Sequence, residues 1–134
     1  MRTICCFLLS LGSAFFAFTH LSDPVEAVEK MVGTKSTEPL VAHAIAVIGA
    51  LHATLAVIFL FAAGSAAKEV RAAALRAEVI FCLIASWVQI TFPATGTPPG
   101  PTEMPFPVLY AFGALALIGL FAGEAEPKTS KKNE

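Results

Sequence analysis

Residues 40–63 read LVAHAIAVIGALHATLAVIFLFAA and contain no Asp, Glu, Lys or Arg. A helix needs about 20 predominantly apolar residues to cross the roughly 30 Å of hydrocarbon in a bilayer. A helix that is apolar all round is buried in a large protein core or in a membrane, and a chain of 134 residues has no core of that size. The stretch therefore predicts a transmembrane helix and an all-α membrane protein.

Three further apolar segments lie on either side of this helix, at about 3–19, 72–92 and 105–123. Together with 40–63 they predict a four-transmembrane-helix bundle over residues 1–123, followed by a polar tail at 124–134. The first segment also resembles a secretory signal peptide, because Arg2 precedes the apolar stretch. No clean small-residue cleavage site follows it, which favours a retained helix.

The charged residues are few and unevenly placed. They make up 14% of the chain, against roughly a quarter of an ordinary soluble domain. With a formal net charge of −1 and no basic patch, nothing indicates a nucleic-acid partner. Seven Lys and Arg lie in the N-terminus, in the connection between the second and third segments together with the start of the third, and in the tail; two lie in the first connection. Because these residues concentrate on the cytosolic side, we expect both ends to face the cytosol.

The two connections on the opposite side differ in composition. In the first, Asp23 and Pro24 precede a short apolar pattern, as is typical of a helix N-cap followed by proline in the first turn. Gly33 is a natural stop for that helix. We therefore expect a short amphipathic helix along the lumenal interface. The other connection, residues 93–101, has four prolines and two glycines and predicts a stiff, extended loop.

Small side chains recur along one face of the second segment and at the end of the fourth. Those of the second segment follow a 4-3-4-3 spacing and are Ala42, Ala46, Gly49, Ala53 and Ala56. The fourth segment ends with a GxxxG pattern formed by Gly119 and Gly123. Small residues let helix backbones approach closely in lipid. This helix-packing seam predicts packing within the bundle or docking of another membrane protein, including a second copy of the chain.

Few side chains within the segments carry chemistry. His43 and His52 are nine residues apart, on opposite faces of a helix, so they cannot hold one metal ion together. His52 and Gln89 are intramembrane polar residues, which tend to face the interior of a bundle. The sequence has no nucleophile–base pair, phosphate-binding loop or paired intramembrane carboxylates. We therefore expect neither enzymatic activity nor a bound metal or cofactor.

Arg71, Arg76 and Glu78 lie at the start of the third segment. We interpret them as interfacial charges whose apolar stems lie along the helix while their heads reach water. Arg71 and Glu78 are seven residues apart, hence on one face, where they are able to pair. Cys5 and Cys6, near the start of the first segment, are either buried thiols or sites of palmitoylation.

The chain ends in Lys131, Lys132, Asn133 and Glu134. Lysines at the third and fourth positions from a cytosolic C-terminus match the dilysine retrieval signal of endoplasmic-reticulum membrane proteins, which is an address read by a receptor. The pattern predicts a location in the endoplasmic-reticulum membrane.

The layout as a whole resembles the ergosterol biosynthetic protein 28 family of small four-span endoplasmic-reticulum proteins. The resemblance includes a small-residue second span, a fourth span and a basic tail. It also includes short motifs in the two connections, formed by Glu29, Lys30, Met31 and Lys35 and by Gly96 and Thr97. It implies a non-catalytic scaffold that tethers enzymes of sterol C-4 demethylation to the membrane.

Three hypotheses of function follow from these features. The first is a non-catalytic scaffold or accessory subunit that binds its partners through helix seams. The second is a small transporter or lipid-binding bundle in which His52 and Gln89 line an internal cavity. The third is an accessory subunit of an organellar energy-transducing complex. In each case the partners are the lipid bilayer and other membrane proteins.

Overall fold

The computed structural model describes residues 1–32, 39–91 and 105–122. They form five helices, which are α1 (Arg2–Ser22), α2 (Pro24–Val32), α3 (Pro39–Gly64), α4 (Lys68–Thr91) and α5 (Phe106–Phe121). These three stretches contain no β-strand, so the prediction of an all-α fold is confirmed for them. The predicted stop at Gly33, the loop at 93–101 and the tail lie outside the described residues.

Three of the helices, α1, α3 and α4, are long and apolar enough to cross a membrane. The fourth apolar helix, α5, has 16 residues in its described part, which is shorter than the length usual for a span. Large apolar side chains on all four helices point outward, among them Phe15, Phe18, Phe61, Leu83 and Phe121. Such an outer surface fits a hydrocarbon environment, because a water-soluble monomer rarely exposes contiguous apolar surface of this extent.

The helices form two closely packed pairs. α1 packs along α3, and α4 packs along α5. α1 also contacts α4 and α5, and α3 contacts α4, whereas α3 and α5 do not pack along each other in the part of the chain that is described. The first helix therefore lies at the centre of the arrangement and joins the two pairs.

One end of the bundle contains the start of α1. There Cys5 lies against Gly119 of α5, and the Cys6 thiol lies 4.0 Å from the carbonyl oxygen of Arg71 near the start of α4. This region, which we name the cysteine end, is an apolar cluster of Cys5, Cys6, Leu9, Phe59, Ala62, Leu75 and Ala116. Because it combines the start of α1 with the end of α5, the described chain begins and finishes at the same end of the bundle.

At the opposite end, α2 lies against α3. The backbone N–H of Glu26 donates to Asp23 Oδ1 at 2.9 Å, which caps the first turn of α2. Ala27 and Val28 are buried against Ile45 of α3. The opposite face of α2 is exposed and carries an ion pair of 2.8 Å between Lys30 and Glu26. The hydrogen bond to Glu26, together with its negative charge, raises the pKa of the Lys30 ammonium.

Candidate functional site

The small residues of α3 lie on the face that packs against α1. A Cβ placed on Gly49 would lie 2.9 Å from Leu21 Cγ and 3.0 Å from His20 Cβ, so α1 approaches the backbone of α3 directly. About two turns closer to the cysteine end, Ser10 Oγ donates to the carbonyl oxygen of Ala56 at 2.8 Å. Of the other seam residues, Ala42, Ala46 and Ala53 are half-buried. The seam of α3 is therefore occupied by the chain's own first helix.

The fourth segment makes a similar close contact. A Cβ on Gly119 would lie 2.8 Å from Leu75 Cδ1 and 2.9 Å from Cys5 Cβ, so three helices meet at this glycine. The second glycine of the pattern, Gly123, lies outside the described residues. Gly119 is thus a position where any larger side chain must push α1 or α4 away.

Two histidines that are distant in sequence meet at the other end of α1. The rings of His20 and His52 are stacked, with centroids 5.6 Å apart and planes 5° from parallel. The ring of Phe16 lies 5.7 Å from that of His52. We name this region, with Gly49 and α2, the histidine end. No pattern in the sequence indicates this pair, because it depends on the register between two antiparallel helices.

Both histidine rings are oriented by hydrogen bonds within their own helices. His20 Nδ1 lies 2.6 Å from the carbonyl oxygen of Phe16, and His52 Nδ1 lies 2.9 Å from that of Ile48. A carbonyl oxygen only accepts hydrogen bonds, so these contacts place a hydrogen on Nδ1 of each ring. The rings are therefore fixed in position by backbone contacts one turn earlier, rather than by contact with each other alone.

The other intramembrane polar residue, Gln89, is half-buried near the end of α4. No hydrogen bond joins it to His52 within the described stretches. His43 is exposed on α3 and takes no part in the stacked pair. The transporter hypothesis, in which His52 and Gln89 line an internal cavity, stays a prediction.

The three charged residues of α4 have different environments. Arg71 is buried, and its Nη1 donates to the carbonyl oxygen of Ser65, which fastens α4 to the turn that follows α3. Arg76 is exposed, as an interfacial charge would be. Glu78, however, is only 2% exposed and lies near the middle of α4. Its expected place at the interface followed from its position along the segment, which does not show which face of the helix it occupies.

The expected pairing of Glu78 with Arg71 is not formed. Glu78 Oε1 instead accepts a hydrogen bond from the thiol of Cys82, one turn later on α4, at 3.6 Å. Its other oxygen, Oε2, is buried without a hydrogen-bonding partner among the described residues. A second buried polar group without such a partner is the hydroxyl of Ser13 in α1, whose residue is 1% exposed. Nothing in the sequence around Ser13 distinguishes it from the other small residues of α1.

Metal-ligating residues do not gather elsewhere in the described chain. No group of three or more His, Cys, Asp or Glu is placed to hold a metal ion within residues 1–32, 39–91 and 105–122. The thiols of Cys5 and Cys6 are buried in the core of the cysteine end. In this conformation they are closed to palmitoylation, which requires access to the sulfur. Comparison of the chain with protein-family models, curated proteins and solved structures finds no match.

Proposed function

We propose that the chain is a four-span protein of the endoplasmic-reticulum membrane, with α1, α3, α4 and α5 crossing the bilayer and both ends in the cytosol. At 1.5 Å per residue, the 16 described residues of α5 extend over about 24 Å, which is most of the hydrocarbon thickness. The shared position of the start of α1 and the end of α5 supports an even number of spans. The excess of Lys and Arg on that side supports its cytosolic location.

Within that membrane the protein acts as a non-catalytic scaffold or accessory subunit. The observation that carries this proposal is a glycine at the end of α3 that no other helix of the described chain packs against. A Cβ placed on Gly64 meets no atom within 4 Å, in contrast to Gly49 and Gly119, which are closed by neighbouring helices. Gly64 is therefore a place where the helix backbone remains open to close approach by a helix of another protein.

Two apolar grooves flank Gly64. One, of about 550 Å³, is lined by Leu60, Phe61, Gly64, Ser65 and Val70. The other, of about 400 Å³, runs between α3 and α1 and shares Leu60 and Gly64 with the first. A transmembrane helix seated over Gly64 would fill both grooves and bury the exposed ring of Phe61. The resemblance described above suggests membrane enzymes of sterol C-4 demethylation as the partners.

The test is purification of the protein in a mild detergent. We expect the sterol C-4 demethylation enzymes to be recovered with the unmodified protein and to be lost with Gly64→Leu, because the new side chain fits the monomer but fills the grooves. Ala50→Leu is the matched control, since Ala50 is exposed on the same helix and lines neither groove. Recovery of the protein without these enzymes, or equal recovery with both variants, would contradict the scaffold.

A lipid-binding role is a second candidate, favoured by the same two grooves. Their volumes lie in the range of small-molecule sites, and their linings are largely apolar, as an acyl chain requires. Native mass spectrometry distinguishes the two roles. A lipid that stays bound through purification and is lost in Gly64→Leu, while no enzyme is recovered, supports lipid binding over scaffolding.

The location is tested separately with an internal tag, because a tag at the C-terminus would mask the tail. We expect Lys131→Ser combined with Lys132→Ser to release the protein from the endoplasmic reticulum to later compartments. If the double variant keeps its location unchanged, the prediction of a retrieval signal is wrong, and an accessory subunit of another organelle becomes the better hypothesis.

A further inference from the structure

Glu78 is a carboxyl group near the middle of a membrane-crossing helix, and nothing in the proposed scaffold role uses it. It is the eleventh residue of the 24 in α4 and is 2% exposed. Leu75 and Cys82, on the same face, are also buried. An intramembrane ionisable residue is costly to maintain and usually faces the interior of a bundle for a reason. A carboxyl group buried in this way needs either a counter-charge or a proton, and its second oxygen needs a hydrogen-bonding partner.

No cation among the described residues forms an ion pair with Glu78. The titratable groups on the helices packed against it, and on α4 itself, are Arg2, Cys5, Cys6, His20, His43, His52, Tyr110, Lys68, Glu69, Arg71, Arg76 and Cys82. The one hydrogen bond that Glu78 receives from them is the weak one from the Cys82 thiol. Burial without a counter-charge strongly disfavours an ionised carboxylate. The neutral acid is the form that this environment accommodates.

Helical periodicity predicts that Ser13 of α1 lies at the same depth as Glu78. α1 and α4 start at the same end of the bundle, and Cys6 meets the carbonyl of Arg71 there. Seven residues further along each helix, which is two turns, come Ser13 and Glu78, so both return to the same face at the same depth. Leu9 of α1 and Leu75 of α4, each about one turn before these residues on its own helix, belong to one packed cluster. Two buried, unpartnered polar groups therefore face the same layer between the helices.

We propose that Glu78 is an internal proton-binding site, held as the neutral acid, with one water molecule bridging its Oε2 to the hydroxyl of Ser13. No direct hydrogen bond joins the two oxygens, and a buried water typically joins polar groups of this kind. In this arrangement the acid O–H donates to the water, and the water donates to Ser13 Oγ. A metal cation is disfavoured, because the neighbouring side chains are thiols and hydrocarbon rather than further oxygen ligands.

The first test is labelling with dicyclohexylcarbodiimide, an apolar reagent for protonated carboxyl groups. The acid proton moves to a reagent nitrogen, the carboxylate oxygen adds to the central carbon, and the adduct rearranges to a stable N-acylurea that retains every atom of the reagent. With the full chain in lipid nanodiscs at neutral pH and long incubation, we expect slow labelling of Glu78, because the apolar reagent enters from the bilayer when the helices transiently separate, and no labelling of the exposed Glu26. Glu78→Gln should abolish it. Absence of labelling in the unmodified protein, or protection by sodium ions, overturns the proposal.

The second test reads the hydrogen bond directly by infrared spectroscopy. We expect a carboxylic-acid carbonyl band that disappears in Glu78→Gln and shifts to higher frequency in Ser13→Ala, because the bridging water loses its acceptor. Ser10→Ala is the matched control. Ser10 lies one turn away on the same helix, and its hydroxyl is already bonded to Ala56. Equal shifts in both serine variants, or no acid band at all, contradict the bridge.

Discussion

At the cysteine end of the bundle, the side chains of Cys5 and Leu75 pack directly against Gly119, which has no side chain of its own. The contact is made by carbon and sulfur atoms. At the histidine end, α1 and α3 meet through two stacked rings, each held by a hydrogen bond to its own backbone. The first kind of contact depends on size and resists enlargement. The second depends on orientation and is sensitive to the loss of one ring. Four changes, in order of decreasing expected effect, test this difference.

The largest effect is expected from Phe59→Ala at the cysteine end. Phe59 is 1% exposed and sits in the apolar cluster, so truncation leaves a cavity and should cost about 3–5 kcal/mol of unfolding free energy. Phe61→Ala is the control, because Phe61 is on the same helix but 77% exposed. Thermal unfolding in a fixed detergent compares the two. Equal destabilisation by both would mean that the cysteine end is not the core of the bundle.

Enlargement at the same end should have the next largest effect. Gly119→Ala brings a methyl group to within 2.9 Å of Cys5 Cβ, which cannot rotate away, and should destabilise the bundle by roughly 1–3 kcal/mol. In Gly113→Ala the new carbon would lie 3.6 Å from Cys82 Cβ, an ordinary contact, so the fold should tolerate it. The same unfolding measurement distinguishes the glycines. A harmless Gly119→Ala would refute the close three-helix contact.

At the histidine end the expected coupling is smaller. A double-mutant cycle of His20→Ala and His52→Ala should give a coupling energy of about 0.5–1.5 kcal/mol, the range for a stacked aromatic pair. His43→Ala, on the exposed face of α3, should leave stability unchanged. If the two truncations are simply additive, the rings are near each other without stabilising each other.

The smallest effect is expected at the exposed pair of Lys30 and Glu26 on α2, which is part of the histidine end. Because the partner raises the pKa of Lys30, the pair contributes below the pKa of an unfolded-state lysine and is lost as pH rises through the folded-state pKa. Glu26→Gln should therefore have a barely detectable effect at neutral pH and none in high salt. A large or salt-independent loss of helicity in α2 would show that the pair is more than a surface contact.

The sequence was sufficient to predict an all-helical membrane chain, because apolar segments of span length leave no other structure for the backbone. The burial of Glu78 and Ser13, in contrast, could not be predicted from the sequence. Their burial depends on which face of α4 turns toward α1, and the apolar residues around Glu78 do not fix that rotation by themselves. The stacking of His20 on His52 likewise depends on the register between two helices. Composition locates a helix in the membrane, whereas contact between two helices requires three-dimensional information.

The burial of Cys5, Cys6 and Cys82 has a practical consequence for the study of topology. A membrane-impermeant maleimide should hardly label the folded protein, because all three thiols are buried. The unmodified chain therefore serves as the unlabelled control. A single cysteine introduced at the exposed Ala66, in the turn between α3 and α4, would then report from which side of the membrane that turn is reached. The three closed thiols make the sidedness of the protein measurable without first removing any of them.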